Sequence, residues 1–228
     1  MSIILNIDTA LETAIVSISK DGEIIAQAEN LAQKDHAHFL HQAIKNILVN
    51  AQITLQQIDA IAVSAGPGSY TGLRVGMAAA KGFAYALQKP LLLIDTLEIM
   101  AITAIEVFLK NELDNATLIC PMIDARRDEV FCALYNQHLE VIIAPTDLKL
   151  SSTSFRTELL SNTILFTGNG STKWADQCKD PHALFAPINN NAQSMNVLSF
   201  KKIQAGNFSN IAEAHPFYIK AFFNNKNQ

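Results

Sequence analysis

Gly66-Pro67-Gly68-Ser69-Tyr70-Thr71-Gly72-Leu73-Arg74-Val75-Gly76 gathers four of the chain's nine glycines into eleven residues. The apolar run from Ile61 to Ala65 before it reads as a buried strand, and the small-residue pattern after it reads as a helix from about Tyr70 to Leu87. A strand, a glycine turn and a helix start can cradle an anion, because free backbone N–H groups point outward there. The same arrangement can be a packing device. No lysine follows the turn as in G-x-x-x-x-G-K-S/T. Thr71 stands where G-x-G-x-x-G needs its last glycine, and Pro67 lies where a nucleophile elbow needs one. Ser69 and Thr71 read as helix-capping hydroxyls. Gly72, Gly76, Ala79, Ala80 and Gly82 recur at spacings near three and four, giving a helix flank for close packing by a partner helix or by the chain's own sheet. These residues favour packing over phosphate capture.

Upstream, strands are expected at Ile3 to Ile7, Thr13 to Ser19 and Glu23 to about Ala28. Asp21-Gly22 supplies the positive φ of a two-residue hairpin between the last two. A helix capped by Asp35 follows, with a one-sided stripe of Phe39, Leu40, Ala43, Ile44, Ile47, Leu48 and Ala51. Beyond the glycine turn come a strand at Leu91 to Ile94 and a helix from about Thr96 to Leu109. The order β-β-β-α-β-α-β-α then recurs. Strands are expected at Thr117 to Ile123, Glu129 to Tyr135, Leu139 to Ile143, Ile164 to Thr167 and Ala183 to Ala186. Helices are expected at Ser154 to Leu160, around Trp174, and at Val197 to Ala205. Such a duplication is a fold-level signal. It describes an α/β protein of two ribonuclease-H-like lobes, the actin-like, sugar-kinase and Hsp70 ATPase architecture with a reduced second lobe. The division falls at 1–110 and 111–228, with a C-terminal tail that packs back on the first lobe.

Composition narrows the classes. With 228 residues, 49 % of them hydrophobic and 17 % charged, the chain can bury a sizeable core. A net charge of −4 and no strongly basic face argue against autonomous nucleic-acid binding. Cys120, Cys132 and Cys178 form no C-x-x-C pair and no even set, which suits reduced, buried thiols in a cytoplasmic protein. The N-terminus has no basic region ahead of its apolar run, unlike a signal peptide, and no apolar stretch reaches the ~20 residues that span a bilayer.

Three groups of residues could carry chemistry. Asp8-Thr9 sits in the first hairpin, where two-lobed ATPases place a carboxylate and small residues against phosphate. Here Ala10 and Leu11 follow and the glycine is missing, so a degenerate loop is favoured over a nucleotide site. His36, His38 and His41 resemble metal ligands, but on a helix only His38 and His41 share a face, with no acidic third ligand. A solvated or partner-facing cluster is favoured. Asp124-Ala125-Arg126-Arg127-Asp128-Glu129 puts five charges at a hairpin tip. It reads either as a salt-bridged solvated turn or as a recognition surface in the crevice between the lobes.

Four segments come in order along the chain: Ile4 to Asp8-Thr9, the glycine motif from Gly66 to Gly76, Ile123 to Val130, and Ala214-His215-Pro216-Phe217-Tyr218-Ile219-Lys220. Together they resemble the TsaB family of bacterial tRNA threonylcarbamoyladenosine biosynthesis proteins. The likeness covers nearly the whole chain, and the glycine motif is its most specific part. The resemblance implies a non-catalytic scaffold and activator, an inactive paralogue of the catalytic subunit TsaD. That subunit threonylcarbamoylates the adenosine 3′ of the anticodon in tRNAs reading codons that begin with adenine. TsaD and a TsaE-type ATPase are the implied partners, with tRNA met only through the complex and a homodimer when the chain is alone. No cofactor is implied for the isolated chain; a nucleotide would sit only at the partner interface. The H-x-x-x-H helix of TsaD has no counterpart in Thr96-Leu97-Glu98-Ile99-Met100-Ala101. The partner surface is implied on the first-lobe helices, here His38, His41, Tyr70, Leu73, Arg74, Gly76, Met77 and Ala80, with Asp124, Arg126, Arg127 and Glu129 as an inter-lobe turn. An ATP-dependent sugar-kinase-like enzyme and a metalloprotease-like protein are the alternatives.

Overall fold

The computed structural model describes residues 1–31, 36–108, 117–188 and 190–220. The expected cap Asp35 and the lobe boundary at 110/111 lie outside them. Among the described residues, strands β1 (Ile3–Asp8), β2 (Ala14–Lys20), β3 (Glu23–Asn30), β4 (Ala60–Gly66) and β5 (Leu91–Asp95) form one sheet in the order β3-β2-β1-β4-β5. β1 pairs antiparallel with β2 and parallel with β4. Strands β6 (Thr117–Arg126), β7 (Glu129–Tyr135), β8 (Val141–Lys149), β9 (Thr163–Thr167) and β10 (Ala183–Ala186) form the other, in the order β10-β9-β6-β7-β8. Each sheet thus has a three-stranded antiparallel meander whose first strand continues into two parallel strands. The repeat expected from the sequence is a repeat of topology. At the β2–β3 turn Asp21 (φ 51°) and Gly22 (φ 89°) take the positive φ values that the hairpin requires.

The helices are α1 (His36–Ala51), α2 (Tyr70–Leu87), α3 (Thr96–Phe108), α4 (Arg156–Leu159), α5 (Thr172–Ala175) and α6 (Ala192–Gln204). Strand alternation divides the first lobe's core between two faces. Leu5, Ile7, Ile61 and Val63 face α1 and α2, burying the stripe of Leu40, Ala43, Ile44 and Ile47. Ile4, Ala60, Ala62 and Leu92 face the other way, onto Ile99 and Ile102 of α3 and Met195 and Leu198 of α6. α3 also lies on the second sheet, where Leu97, Met100, Ala101 and Ala104 meet Ile119, Ala133, Tyr135 and Leu165. The third helix of each half therefore crosses to the other half's sheet or spans both, and a continuous apolar core joins the lobes. On the far face of the second sheet Trp174 and Phe155 cover Phe166, with ring centroids 4.7 to 5.2 Å apart.

The second lobe is reduced, as expected: α4 and α5 have four residues each where α1 and α2 have 16 and 18. The boundaries of β8 and the start of α6 differ most from expectation. β8 begins at Val141 and not Leu139, because the Asn136 side chain accepts from the N–H groups of His138 and Glu140 and Leu139 turns at φ 63°. It then runs through Pro145, which an edge strand tolerates. α6 starts at Ala192, where Asn191 caps it by accepting from Ser194 N at 2.7 Å. Cys120 and Cys132 are buried as expected, whereas Cys178 is half-buried; all three are free thiols. No described helix is long and apolar enough to cross a membrane.

Candidate functional site

The glycine turn closes on the β1–β2 hairpin. Gly66 has φ +115°, a conformation that L side chains rarely adopt, and a Cβ there would lie 2.6 Å from the Phe217 carbonyl oxygen. Gly68 in the turn, then Gly72 and Gly76 on one flank of α2, follow at four-residue spacing. A Cβ would strike the Ala10 carbonyl at Gly68, the Thr9 carbonyl at Gly72 and the Thr9 hydroxyl at Gly76. Hydrogen bonds hold the contact: Ser69 N donates to Ala10 O at 2.7 Å, and Thr9 Oγ1 donates to Gly72 O at 2.7 Å. Ser69 also caps α2 by accepting from Gly72 N. The turn is a packing device, as the residues suggest, and the backbone it receives is the chain's own hairpin.

Asp8 is sealed beneath this contact. Its Oδ1 accepts from Ala10 N at 3.0 Å and its Oδ2 accepts from Asn190 Nδ2 at 3.1 Å, with 1 % of the residue exposed. Thr9 N donates to Ser64 Oγ. Leu11 packs into the cluster around α3. The hairpin thus turns carbonyl oxygens to α2 and a buried, bonded carboxylate to the second half. These residues do not fit a nucleotide phosphate, which needs donors and room for close approach.

The outward side of the first-lobe helices has a different character. Leu73, Gly76, Met77 and Ala80, expected at a partner surface, are buried in the lobe's own core. They lie on the flank of α2 that faces β4 and the hairpin, so no partner reaches them in the folded lobe. Tyr70 (41 % exposed), Arg74, His38 and His41 do face outward. Between α1 and α2 runs an apolar groove lined by Leu40, His41, Val75, Ala79, Gly82 and Phe83, with a volume of about 530 Å³. An adjoining hollow of about 360 Å³ shares His41 and Phe83 and extends past Leu48 and Val49. Gly82 opens into the larger groove, with nothing within 4 Å of where a Cβ would stand. The flank expected from Gly72, Gly76, Ala79, Ala80 and Gly82 is split: Gly72, Gly76 and Ala80 are buried inward, whereas Ala79 and Gly82 line this groove together with Ala78 and Ala86. The side chain of His36 lies outside the described residues. His41 meets Phe83 at a ring-centroid distance of 6.1 Å. Among the described residues no three His, Cys, Asp or Glu side chains gather to hold a metal.

Residues 24–154 match the family described as TsaD, tRNA N6-adenosine threonylcarbamoyltransferase. A protein of Escherichia coli K12 named tRNA threonylcarbamoyladenosine biosynthesis protein TsaB is 33 % identical over 181 residues, covering 78 % of this chain and 75 % of that one. The chain belongs to the TsaB family. The solved structure of YeaZ from Pseudomonas aeruginosa, 26 % identical, superposes with a TM-score of 0.76 over 96 % of this chain and 100 % of that one. A putative N-acetylmannosamine kinase from Listeria monocytogenes, 10 % identical, has a TM-score of 0.50 over 90 % of this chain and 100 % of that one, which relates the fold to the sugar kinases.

In this TsaB-family chain the charged β6–β7 turn is tied down on both sides. Asp124 accepts from Lys173 Nζ at 2.5 Å and from Arg126 N at 2.6 Å. Partial burial pushes its carboxyl up, but Lys173 and the N–H and charge of Arg126 together outweigh this and hold it below the usual carboxylate range. Glu129 pairs with Lys220 at 2.5 Å, and that ammonium lowers its pKa too. Arg126, Arg127 and Asp128 stand exposed with φ of 69°, 50° and 60°. Behind the turn, Gly170 N donates to Met122 O and Asn169 Oδ1 accepts from Asp124 N. The Gly168-Asn169-Gly170 turn after β9 therefore grips the β6 strand of the second lobe's first hairpin, as Ser69 grips the β1–β2 turn at Ala10 in the first.

Proposed function

We propose that the chain is a non-catalytic scaffold and activator subunit in the biosynthesis of threonylcarbamoyladenosine in tRNA. It docks the TsaD-type catalytic subunit on the α1–α2 groove and works with a TsaE-type ATPase. The observation that carries the reading is a pair of opposites on one helix. The inner flank of α2 is filled by the hairpin that an ATPase of this fold would keep open, while its outer flank is small, apolar and bare at Gly82. A small-residue helix face admits close approach by a partner helix. The names of the relatives supply the pathway. On this reading tRNA is met through the complex, a nucleotide sits only at the partner interface, and without its partner the chain covers the same groove with a second copy.

Reconstitution tests it. The TsaD-type subunit, the ATPase and tRNA should yield modified adenosine with this chain present and none without it. Modification that proceeds equally when the chain is omitted would sink the reading. A sugar-kinase-like enzyme is the second reading, favoured by the kinase-like fold and the retained Asp8. Calorimetry of the isolated chain with Mg-ATP separates the two: a binding heat supports the enzyme, and its absence removes it. A metalloprotease has no ligand cluster among the described residues from which to start.

A further inference from the structure

The segment after α6 does not trail away. Ser209 N donates to Leu91 O on β5 at 2.9 Å. Lys81 Nζ, from the middle of α2, donates to Ala214 O at 2.8 Å and Ala212 O at 3.3 Å. Phe217 N donates to Ala65 O at 2.6 Å, so the strand end before the glycine turn is closed by the same segment. Arg74 Nε donates to Tyr218 Oη at 3.2 Å. The Arg74 guanidinium carbon stands 4.0 Å above the Tyr70 ring, and the Tyr70 and Tyr218 rings lie 5.7 Å apart. Lys220 then reaches Glu129 at the start of β7. In twelve residues the chain touches β5, two sites on α2, the end of β4 and the second lobe.

Tyr70, Arg74, Ala78, Gly82 and Ala86 recur every four residues and form one ridge of α2, each neighbouring the next while the ridge winds around the helix by about 40° per step. The last three line the groove. Arg74 and Tyr70 carry that ridge from the groove's edge at Ala78 toward the helix start, where Tyr218 and Tyr70 hold the guanidinium in one place. An arginine fixed before contact loses less freedom on binding, and Tyr and Arg are the residue types that anchor interfaces. We propose that residues 209–220 are a strap that completes the docking surface: Tyr218 positions Arg74 for an acidic group of the partner, and the Lys220–Glu129 pair anchors the strap to the second lobe. This rests on the docking reading above and adds the tail to it.

The test uses the full chain and the TsaD-type subunit, with calorimetry for Kd and hydrogen exchange for the strap. Tyr218→Ala should speed exchange at 215–220 and raise Kd about tenfold, while Tyr218→Phe, which keeps the ring and loses the acceptor, should raise it about threefold. Glu129→Lys and Lys220→Glu should each loosen the strap and weaken binding, and the double reversal should restore both. Unchanged exchange in Tyr218→Ala overturns the strap, as does a loosened strap with Kd within about twofold of wild type. If the wild-type chain does not bind the subunit, the docking reading fails and the strap's role with it. Wild-type binding that ignores Tyr218 sinks the strap alone.

Discussion

The Thr9 hydroxyl donates to the Gly72 carbonyl at 2.7 Å, and the Thr9 carbonyl occupies the place where a Cβ on residue 72 would stand. Hairpin and helix therefore approach as closely as backbone allows. Gly72→Ala should destabilise the chain by about 1–3 kcal/mol, because the obstacle is backbone and cannot swing aside. Helix propensity pulls the other way by about 1 kcal/mol, so a net loss identifies the clash as the larger effect. Gly82→Ala is the control on the same helix: with open space around it, it should gain roughly 0.5–1 kcal/mol. Urea unfolding of the two variants decides, and equal midpoints for both would contradict the packing account.

The groove makes a separate prediction. Gly82→Leu fills the open floor between α1 and α2 without touching the core. Unfolding midpoints should stay at or somewhat above wild type, as for Gly82→Ala, while partner affinity falls by at least about tenfold, equivalent to about 1.4 kcal/mol. Self-association of the isolated chain should weaken with it, read by sedimentation velocity. A variant that still binds its partner normally would place the contact elsewhere.

Much of this architecture is legible in the residues, and the exceptions have physical causes. The Asp21-Gly22 turn, the stripe of α1 and the strand-turn-helix around Gly66 carry strong local signals, and all three form where expected. Which flank of α2 is inside is not legible. Gly72, Gly76, Ala80 and Ala84 are buried and Ala78, Gly82 and Ala86 are exposed, yet glycine and alanine carry almost no polarity to tell them apart. The path of α6 is hidden for another reason. Its buried face includes Ser194, Asn196 and Ser199, satisfied in part by partners far away in sequence, such as Thr103 and Gly22. Periodicity cannot see such a face. The tail's role is likewise set by Arg74 and Glu129, 144 and 91 residues from Tyr218 and Lys220.

The second lobe offers its own probe. Trp174, the only tryptophan, is 1 % exposed among Phe155, Phe166 and Phe185, and its Nε1 donates to Ser151 O at 3.1 Å. With α4 and α5 only a turn long, this aromatic group carries most of that face. Trp174→Ala should cost about 3–5 kcal/mol. Because the α3 cluster joins the lobes, wild-type fluorescence and circular dichroism should unfold together. Non-coincident transitions would mean that the lobes melt separately.

Asp95 links the fold to pH. It ends β5 and caps α3, accepting from Leu97 N at 2.7 Å and Glu98 N at 3.1 Å. Burial raises its pKa to about 6, against the pull of those two N–H groups and of Lys202. An ordinary aspartate titrates near 3.9, so between about pH 4 and 6 the folded chain holds a proton that the unfolded chain has released. Stability contributed here is therefore greatest below about pH 4 and falls as pH rises to 6, by up to about 3 kcal/mol. Above that range the buried carboxylate is a cost. Asp95→Asn keeps a capping oxygen and has no proton to lose. The variant should gain on wild type steadily from pH 4 to 6, hold that gain at pH 7.5, and show a flatter stability curve in between. Glu98, also raised by burial, titrates in both proteins, and its charge is part of what raises Asp95. Thermal unfolding across the range is the measurement, and parallel curves for the two proteins would show that Asp95 is not desolvated in solution.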